Sequence, residues 1–296
     1  MDFDDFLDLP TEKIAALVQE RGPRVCVVPL NGTRRWFLLE QNAPVDEHDA
    51  ETFVTRVGEQ VRRLGRLFFD HGVSTLLMPV FGTELATRGA AYRHMAEMGL
   101  LMLTDAAFHA FYAGSDARVR FYGNFRSYYN DAPDLLNAFS RTETATHHHK
   151  THRLFYGVCA ESATQIITHY AAEQGRALTQ EEAIEVVYGE RVPAADLFVG
   201  FDRPTAFDMP LVDDGNVALY FTVAPSPYLE ARGLRAILYD WIFIRPGDGD
   251  YERLDDAEWQ HLRSFYHANR HSVMGLGVRR QGIWYPAPGL REPQDG

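Results

Sequence analysis

Short apolar runs alternate with longer segments of helical periodicity along most of the chain. Several runs lack the apolar and polar alternation of a half-exposed strand, which is typical of strands covered on both faces. Over residues 50–72 apolar residues recur at helical spacing, and Gly72 stands where a C-terminal cap belongs. The predicted strands are 25–30, 75–81, 119–122, 154–158, 196–199 and 218–223, and the further predicted helices are 84–98, 106–113, 161–173, 180–188, 227–241 and 257–269.

This alternation predicts an α/β fold with a mostly parallel central sheet flanked by helices. The sequence shows no internal repeat and no linker, so we expect a single domain over residues 1–284. Residues 285–296 contain three prolines and two glycines and are predicted to form a poorly ordered tail. The histidines at 147–149 would point in different directions on any regular element, which favours a solvated loop over a metal site.

The net charge of the chain is −12, and its only lysines are Lys13 and Lys150. An acidic chain without a basic run is a poor ligand for a phosphate backbone, so no nucleic acid partner is expected. No segment approaches the roughly 20 apolar residues of a membrane span, and the acidic start lacks signal-peptide features. We therefore expect a cytoplasmic protein with no integral membrane segment. Cys26 and Cys159 lie in apolar runs, which favours small buried hydrophobic residues over redox or metal-binding thiols.

An anion-binding pattern follows the first predicted strand. In open parallel sheets, ligands bind outside the carboxyl ends of the strands. Gly32 lets backbone N–H groups approach an anion, Thr33 adds a hydroxyl, and Arg34 and Arg35 supply forked donors that match phosphate oxygens. The alternative is that both arginines only pair with surface acids such as Glu40. The position at a strand end favours a diphosphate site.

These residues carry a family resemblance. The stretch "PLNGTRRWF" resembles the Asp-Gly-Asn-X-Arg-Trp loop of the cis-prenyltransferases, and residues 195–241 resemble their later segment, in which an arginine-containing loop leads to a Leu-Tyr-Phe-Thr strand. The stretches "LLMPVFGTE" and "VRFYGNFRSY" occur in the family's order, so the resemblance covers about residues 20–245. It is strongest to diterpene-diphosphate enzymes on that fold, through "LDLP", "RGP", "FYG", "YFTVAPS" and "GIWY".

The resemblance implies that the loop after the first strand holds the diphosphate of an allylic prenyl substrate, while the hydrocarbon lies in an apolar tunnel. Arg34, Arg35 and a third arginine, Arg203, would stabilise the charge that develops on the leaving diphosphate. Aromatic side chains in the tunnel would also steady a cation. The tunnel candidates, for each of which plain core packing is the alternative, are Phe68, Phe69, Met78, Phe81, Tyr122 and Tyr220.

The sequence departs from the family at its metal site. Cis-prenyltransferases hold magnesium with the loop aspartate and a glutamate before Leu-Tyr-Phe, and these positions are Asn31 and Ala218 here. Any magnesium would be held mainly by the diphosphate, with Asn31 as a weak ligand at most. The segment that binds isopentenyl diphosphate keeps only Arg203, so chain elongation is not expected. Whether Asn31 is natural or an exchanged aspartate stays open.

His48 stands near the position where the related diterpene enzyme has a tyrosine important to its reaction. It could act as a base toward an incoming nucleophile, or it could be a solvated residue at a helix start. With Asn31 and Arg35, His48 completes the predicted catalytic set.

Together these features predict a terpene synthase or prenyltransferase, and the family resemblance implies that it is a homodimer. It would ionise a C15 or C20 allylic diphosphate and pass the prenyl group to water or a small nitrogen or oxygen nucleophile, with rearrangement or cyclisation left open. The alternative is a non-catalytic prenyl-diphosphate-binding subunit, which the missing acids would suit.

Overall fold

A six-stranded sheet forms the centre of the computed structural model, which describes residues 1–41, 50–82, 89–160, 163–246 and 251–286. Its strands are β1 (Val25–Val27), β2 (Thr75–Phe81), β3 (Ala117–Tyr122), β4 (His152–Val158), β5 (Leu197–Phe201) and β6 (Ala218–Thr222). Their order is β3-β4-β2-β1-β5-β6, and every neighbouring pair runs parallel. All six carboxyl ends therefore lie along one edge.

Helices connect and cover these strands. They are α1 (Phe3–Leu7), α2 (Thr11–Arg21), α3 (Thr33–Gln41), α4 (Ala50–Asp70), α5 (Ala90–Met102), α6 (Ala106–Gly114), α7 (Phe125–Tyr128), α8 (Pro133–Thr146), α9 (Ala163–Gln174), α10 (Gln180–Tyr188), α11 (Ala231–Tyr239) and α12 (Asp256–Asn269). Single helical turns occupy Ser226–Tyr228 and Tyr251–Arg253, and a π-helical turn, Asp240–Ile244, continues α11. An antiparallel hairpin of β7 (Gly277–Arg280) and β8 (Ile283–Pro286) follows α12.

Both faces of the sheet are buried. Leu76 of β2 belongs to the larger core, which includes Phe68 of α4 and Leu234 of α11. The next residue, Leu77, belongs to a second core on the opposite face with Tyr188 of α10. Successive residues of a strand point to opposite faces, so a strand covered on both sides reads as a continuous apolar run. This explains the runs in the sequence, and the structure confirms the predicted fold class.

Several predicted boundaries need correction. β1 ends at Val27 instead of residue 30, because Pro29 cannot donate to the ladder, although Val28 and Leu30 still donate to carbonyls of β2. α5 begins at Ala90, and residues 83–88 at the start of the predicted helix 84–98 lie outside the described ranges. Residues 161 and 162, which start another predicted helix, lie outside them too.

Other differences concern helices and the C-terminal end. The predicted helix 227–241 is divided, because Leu229 and Glu230 are extended and α11 starts only at Ala231. The helices α1, α2, α3, α7 and α8 and the hairpin of β7 and β8 were not predicted. Residues 285 and 286, at the start of the predicted tail, belong to β8, and residues 287–296 are not described.

Gly72 follows α4 as predicted, with a φ of 93°. A Cβ atom there would lie 2.5 Å from the carbonyl oxygen of Ala15, so the position requires both a left-handed backbone and the space of a glycine. Cys26 and Cys159 are both buried and form no disulfide, and burial raises the pKa of the Cys26 thiol well above its ordinary value. Within the described ranges, no helix combines the length and apolarity that crossing a bilayer requires.

Candidate active site at the carboxyl edge of the sheet

The loop between β1 and α3 is fixed to the segment that follows β6. The Asn31 N–H donates to Oγ of Ser226 at 3.1 Å, and the Ser226 N–H donates back to the Asn31 carbonyl at 3.1 Å. The Ser226 hydroxyl also donates to the carbonyl of Pro29 at 3.1 Å. These bonds use the main chain of Asn31. They therefore fix the loop without involving the amide side chain of Asn31.

Gly32 allows the chain to turn sharply into α3. Its φ is 73°, and a Cβ atom there would lie 2.6 Å from the ring of Phe201 and 3.0 Å from Cβ of Pro225. The Gly32 carbonyl accepts the Trp36 N–H at 2.9 Å, which closes the first turn of the helix. Only glycine combines this backbone conformation with this approach to β5.

Arg34 and Arg35 lie in the first turn of α3 and not in a loop as predicted. This brings them to a helix N-terminus, where unpaired backbone N–H groups and the helix dipole also favour an anion. The helix was hard to recognise from its amino-acid pattern, because only Trp36 and Phe37 of its nine residues are buried. The correction adds main-chain donors to the predicted anion site.

The guanidinium of Arg35 is held by the segment after β5. Its Nη2 lies 3.2 Å from Oδ2 of Asp202, and its Cζ lies 5.2 Å from the centroid of the Phe201 ring. The side chain is still 42% exposed, so part of its donor fork faces solvent. Arg34 and Arg203 are both exposed, and no hydrogen bond or ion pair joins either side chain to another described residue. Arg203 is adjacent to Asp202, so all three predicted arginines lie at one edge of the sheet.

A cavity of about 580 Å³ opens beside this edge. Its walls are mostly apolar, with Val57 and Val61 from α4, Met95 and Met102 from α5, and Pro79 and Phe81 from β2. This volume lies in the range of small-molecule sites, which are concave, mostly apolar and carry a few polar groups. The polar lining residues are Asn31, Thr33, Tyr92, Thr205 and Asp208.

The six tunnel candidates do not lie together. Phe81 lines the cavity, whereas Phe68, Phe69 and Met78 are buried in the larger core. Tyr122 belongs to the core on the opposite face of the sheet, where its hydroxyl donates to the Asp208 carbonyl at 2.7 Å. Tyr220 donates its hydroxyl to Asp240 and is not among the described residues that line the cavity. Their apolar type suited both a tunnel and a core, so sequence alone could not separate the two.

Two acids at this edge were not singled out from the sequence. Asp202 orients Arg35, and Asp208 lines the cavity. Both belong to the stretch "GFDRPTAFDMP", directly after a predicted strand. Because ligands bind at carboxyl ends of parallel strands, that position was the signal that could have identified them.

Two further positions that the sequence singled out remain, His48 and Ala218. His48 lies outside the described residues. Ala218 starts β6 and pairs with Leu197, which pairs with Cys26, the middle residue of β1. In the register of the sheet, the position of the family's second acid is therefore level with Cys26, five residues before Asn31.

The donor set at this edge suits magnesium only in a limited way. Magnesium takes about six oxygen ligands and usually keeps several waters when it binds substrate phosphates. Asn31 offers one amide oxygen, and no group of three His, Cys, Asp or Glu among the described residues could hold a metal ion. This arrangement fits an ion held mainly by a diphosphate, with Asn31 as its protein ligand.

The chain is 36% identical over 291 residues to tuberculosinyl adenosine transferase from Mycobacterium tuberculosis, in an alignment that covers 95% of this chain and 97% of that protein. The chain belongs to the tuberculosinyl adenosine transferase family. A (+)-kolavelool synthase from Herpetosiphon aurantiacus is 27% identical over 290 residues, with coverage of 95% and 94%. These relatives confirm the predicted resemblance and the prediction that the chain is an enzyme. No protein-family model matches the chain.

Two solved structures have the same fold as this chain. A probable undecaprenyl diphosphate synthase from Campylobacter jejuni matches with a TM-score of 0.54 at 15% identity, covering 74% of this chain and 95% of that one. Lavandulyl diphosphate synthase from Lavandula x intermedia, in complex with dimethylallyl diphosphate, matches with a TM-score of 0.59 at 14% identity, covering 76% and 97%. Both support a cis-prenyltransferase fold.

Proposed function

We propose that this protein binds an allylic prenyl diphosphate of C15 or C20, ionises it, and passes the prenyl group to water or a small nitrogen or oxygen nucleophile. The observation that carries the proposal is the apolar cavity beside the first turn of α3, where Arg34 and Arg35 lie. A prenyl diphosphate combines a long apolar chain with a compact anion, and the site offers the two matching environments side by side. The names of the two relatives, a transferase that acts with adenosine and a synthase, support this reaction class.

The leaving group is where the residues act most directly. As the allylic C–O bond breaks, both bonding electrons leave with the diphosphate and negative charge grows on it. The Arg35 fork, the exposed Arg34 and Arg203, and the N–H groups at the start of α3 would stabilise that charge in place of water. A magnesium ion, when bound, would neutralise further charge, and Asn31 would be its ligand from the protein.

Purified protein should be incubated with C10, C15 and C20 allylic diphosphates, followed by assay of released diphosphate and extraction of products. We expect diphosphate release and a prenyl alcohol or adduct with at least one of the longer substrates. Absence of diphosphate release from all three substrates would contradict the proposal.

A second candidate is the non-catalytic prenyl-diphosphate-binding subunit. The neutral Asn31 favours it, because a binding protein needs no acid at that position. The same incubation separates the two functions, since a binding subunit would retain the substrate intact and release no diphosphate. Calorimetric titration with a non-hydrolysable thiolodiphosphate would then still show binding.

Residues 251–286 support the homodimer that the resemblance implies. Val273, Met274 and Tyr266 of this segment are 61%, 86% and 59% exposed, and none of its apolar residues belongs to either described core. Residues 259–286 contain four arginines and no acid, whereas the whole chain carries −12. A second copy offers both the apolar partner and the complementary charge.

Light scattering at low micromolar concentration should therefore give about twice the 33.6 kDa of one chain. Met274→Glu should shift the protein toward the monomer, whereas Leu101→Glu, at an exposed apolar residue of α5, should not. A monomeric wild-type protein would contradict the dimer. Location in the cytoplasm stays a prediction from the sequence.

A further inference from the structure

Asp208 is the only charged side chain among the described residues that line the cavity. The other polar lining residues, Asn31, Thr33, Tyr92 and Thr205, are amides, alcohols or a phenol. A carboxylate on the wall of a mostly apolar cavity is a group that can accept a proton there.

The backbone around Asp208 is fixed from the opposite face of the sheet. Its φ is 55°, a left-handed conformation that aspartate and asparagine tolerate better than most residues. Its carbonyl accepts the Tyr122 hydroxyl at 2.7 Å, and two residues later the carbonyl of Pro210 accepts the Tyr188 hydroxyl at 2.7 Å. These tyrosines bind main-chain carbonyls, so they position the segment over the cavity.

Phenols are among the ionisable groups near Asp208. Tyr122 comes from β3 and Tyr188 from α10, while Tyr92 lines the same cavity from α5. Burial, more than any other cause, raises the pKa of Tyr122 and of Tyr188, and the negative charge of Asp208 adds to both shifts. Both phenols therefore stay neutral at ordinary pH.

We propose that Asp208 is a catalytic residue that accepts the proton of the nucleophile that captures the prenyl cation, an inference that rests on the proposed function. The allylic C–O bond breaks and its electron pair leaves with the diphosphate. A lone pair of the water, alcohol or amine then forms the new C–O or C–N bond, and the O–H or N–H proton moves to a carboxylate oxygen of Asp208. Solvent removes that proton after product release. No oxidant or reductant takes part.

Two parts of the site then carry two separate tasks. The arginines at the start of α3 act on the leaving group, whereas Asp208, on the segment that follows β5, acts on the nucleophile. Asn31 cannot accept a proton. A carboxylate elsewhere on the cavity wall would supply the proton acceptor that position 31 lacks.

The test compares Asp208→Asn with the wild-type protein on its preferred diphosphate. We expect kcat to fall by about 10²-fold or more, the usual scale for a positioned acid or base, with KM changed by less than about threefold. The fall of wild-type kcat at acidic pH, where a carboxylate takes up its proton, should disappear in the variant. Asparagine suits the left-handed backbone, so the fold should persist in circular dichroism.

Two further variants serve as rescue and control. Asp208→Glu keeps the acid and should restore part of kcat together with the acidic limb of the pH profile. Asp213→Asn removes the same charge five residues later, at an exposed side chain that accepts the Gly215 N–H, and should leave kcat and its pH profile unchanged.

The outcomes distinguish the two proposals. If the wild-type protein releases no diphosphate from any substrate, the proposed function fails and this inference fails with it. If the wild-type protein is active and Asp208→Asn keeps its kcat or its acidic limb, only the role of Asp208 is overturned. A rise in KM alone would also overturn it. If Asp208→Asn does not fold, an active Asp208→Glu variant that lacks the acidic limb would overturn that role in its place.

Discussion

Nη2 of Arg35 lies 3.2 Å from Oδ2 of Asp202, although 167 residues separate them in the sequence. The contact joins the start of α3, which follows β1, to the segment after β5, and these two strands are neighbours in the sheet. It orients a guanidinium fork that remains 42% exposed. A partly exposed ion pair contributes little to stability. We therefore expect the contact to serve mainly to aim the fork at a ligand.

Arg35→Lys should lower kcat by about 10- to 100-fold. Lysine keeps the charge but loses the planar fork, and with it the paired donors that match diphosphate oxygens. The measurement is steady-state release of diphosphate from the preferred substrate. Arg56→Lys is the matched control, since Arg56 pairs with Glu59 on the exposed face of α4 and should tolerate the change. Unchanged kinetics in the Arg35 variant would remove the diphosphate site from α3.

Gly32→Ala should reduce both stability and activity. The φ of 73° and the Cβ position 2.6 Å from Phe201 would strain the turn into α3, and strained backbone of this kind costs on the order of 1–3 kcal/mol. Urea unfolding followed by fluorescence measures the loss. Gly114→Ala at the end of α6 should be nearly neutral, because no atom lies within 4 Å of its added Cβ. Equal stability of the two variants would contradict a strained turn at Gly32.

The parallel sheet could be predicted because its strands are buried on both faces. Leu76 and Leu77 point into different cores, so the pattern in the sequence stayed apolar through the strand. The helix α4 was equally clear, because one of its faces is continuously apolar and Gly72 ends it. These patterns involve only residues that are close together in the sequence. They can therefore be recognised without knowledge of the fold.

The site was harder to predict because its contacts are long-range. Asn31 is hydrogen-bonded to Ser226, and Arg35 forms an ion pair with Asp202. Neither contact produces a periodic pattern in the sequence. The arginines could be recognised from their type and their place after a strand. Phe81 could not be distinguished from Phe68 as a cavity residue, because both are simply apolar until the walls of the cavity are known.

Isopentenyl diphosphate should not be incorporated. A second diphosphate needs its own cluster of donors, and the segment after β5 offers Arg203, while its neighbour Asp202 is engaged with Arg35. The measurement is incubation of the preferred allylic diphosphate with radiolabelled isopentenyl diphosphate and chromatography of the extracted products. Label in longer cis-prenyl products would show that the segment binds a second diphosphate after all.

Asn31→Asp should raise kcat by about 10²-fold or more with the preferred diphosphate and should sharpen the dependence on magnesium. The exchange is nearly isosteric, and the bonds of residue 31 to Ser226 use only main-chain atoms, so the loop should keep its shape. A carboxylate would give a magnesium ion on the diphosphate a charged ligand in place of an amide. This acts on the leaving group and so is separate from proton transfer to Asp208.

The opposite result has a clear physical meaning. Without a bound metal ion, a carboxylate at position 31 would face the diphosphate directly, and two like charges close together in a partly dry cavity repel by an amount on the order of kcal/mol. In that case KM would rise and kcat would not. Titration of magnesium at saturating substrate separates the two effects, because repulsion alone raises KM at every concentration of the metal. A flat or lower kcat with C10, C15 and C20 substrates would show that the site requires a neutral residue at position 31.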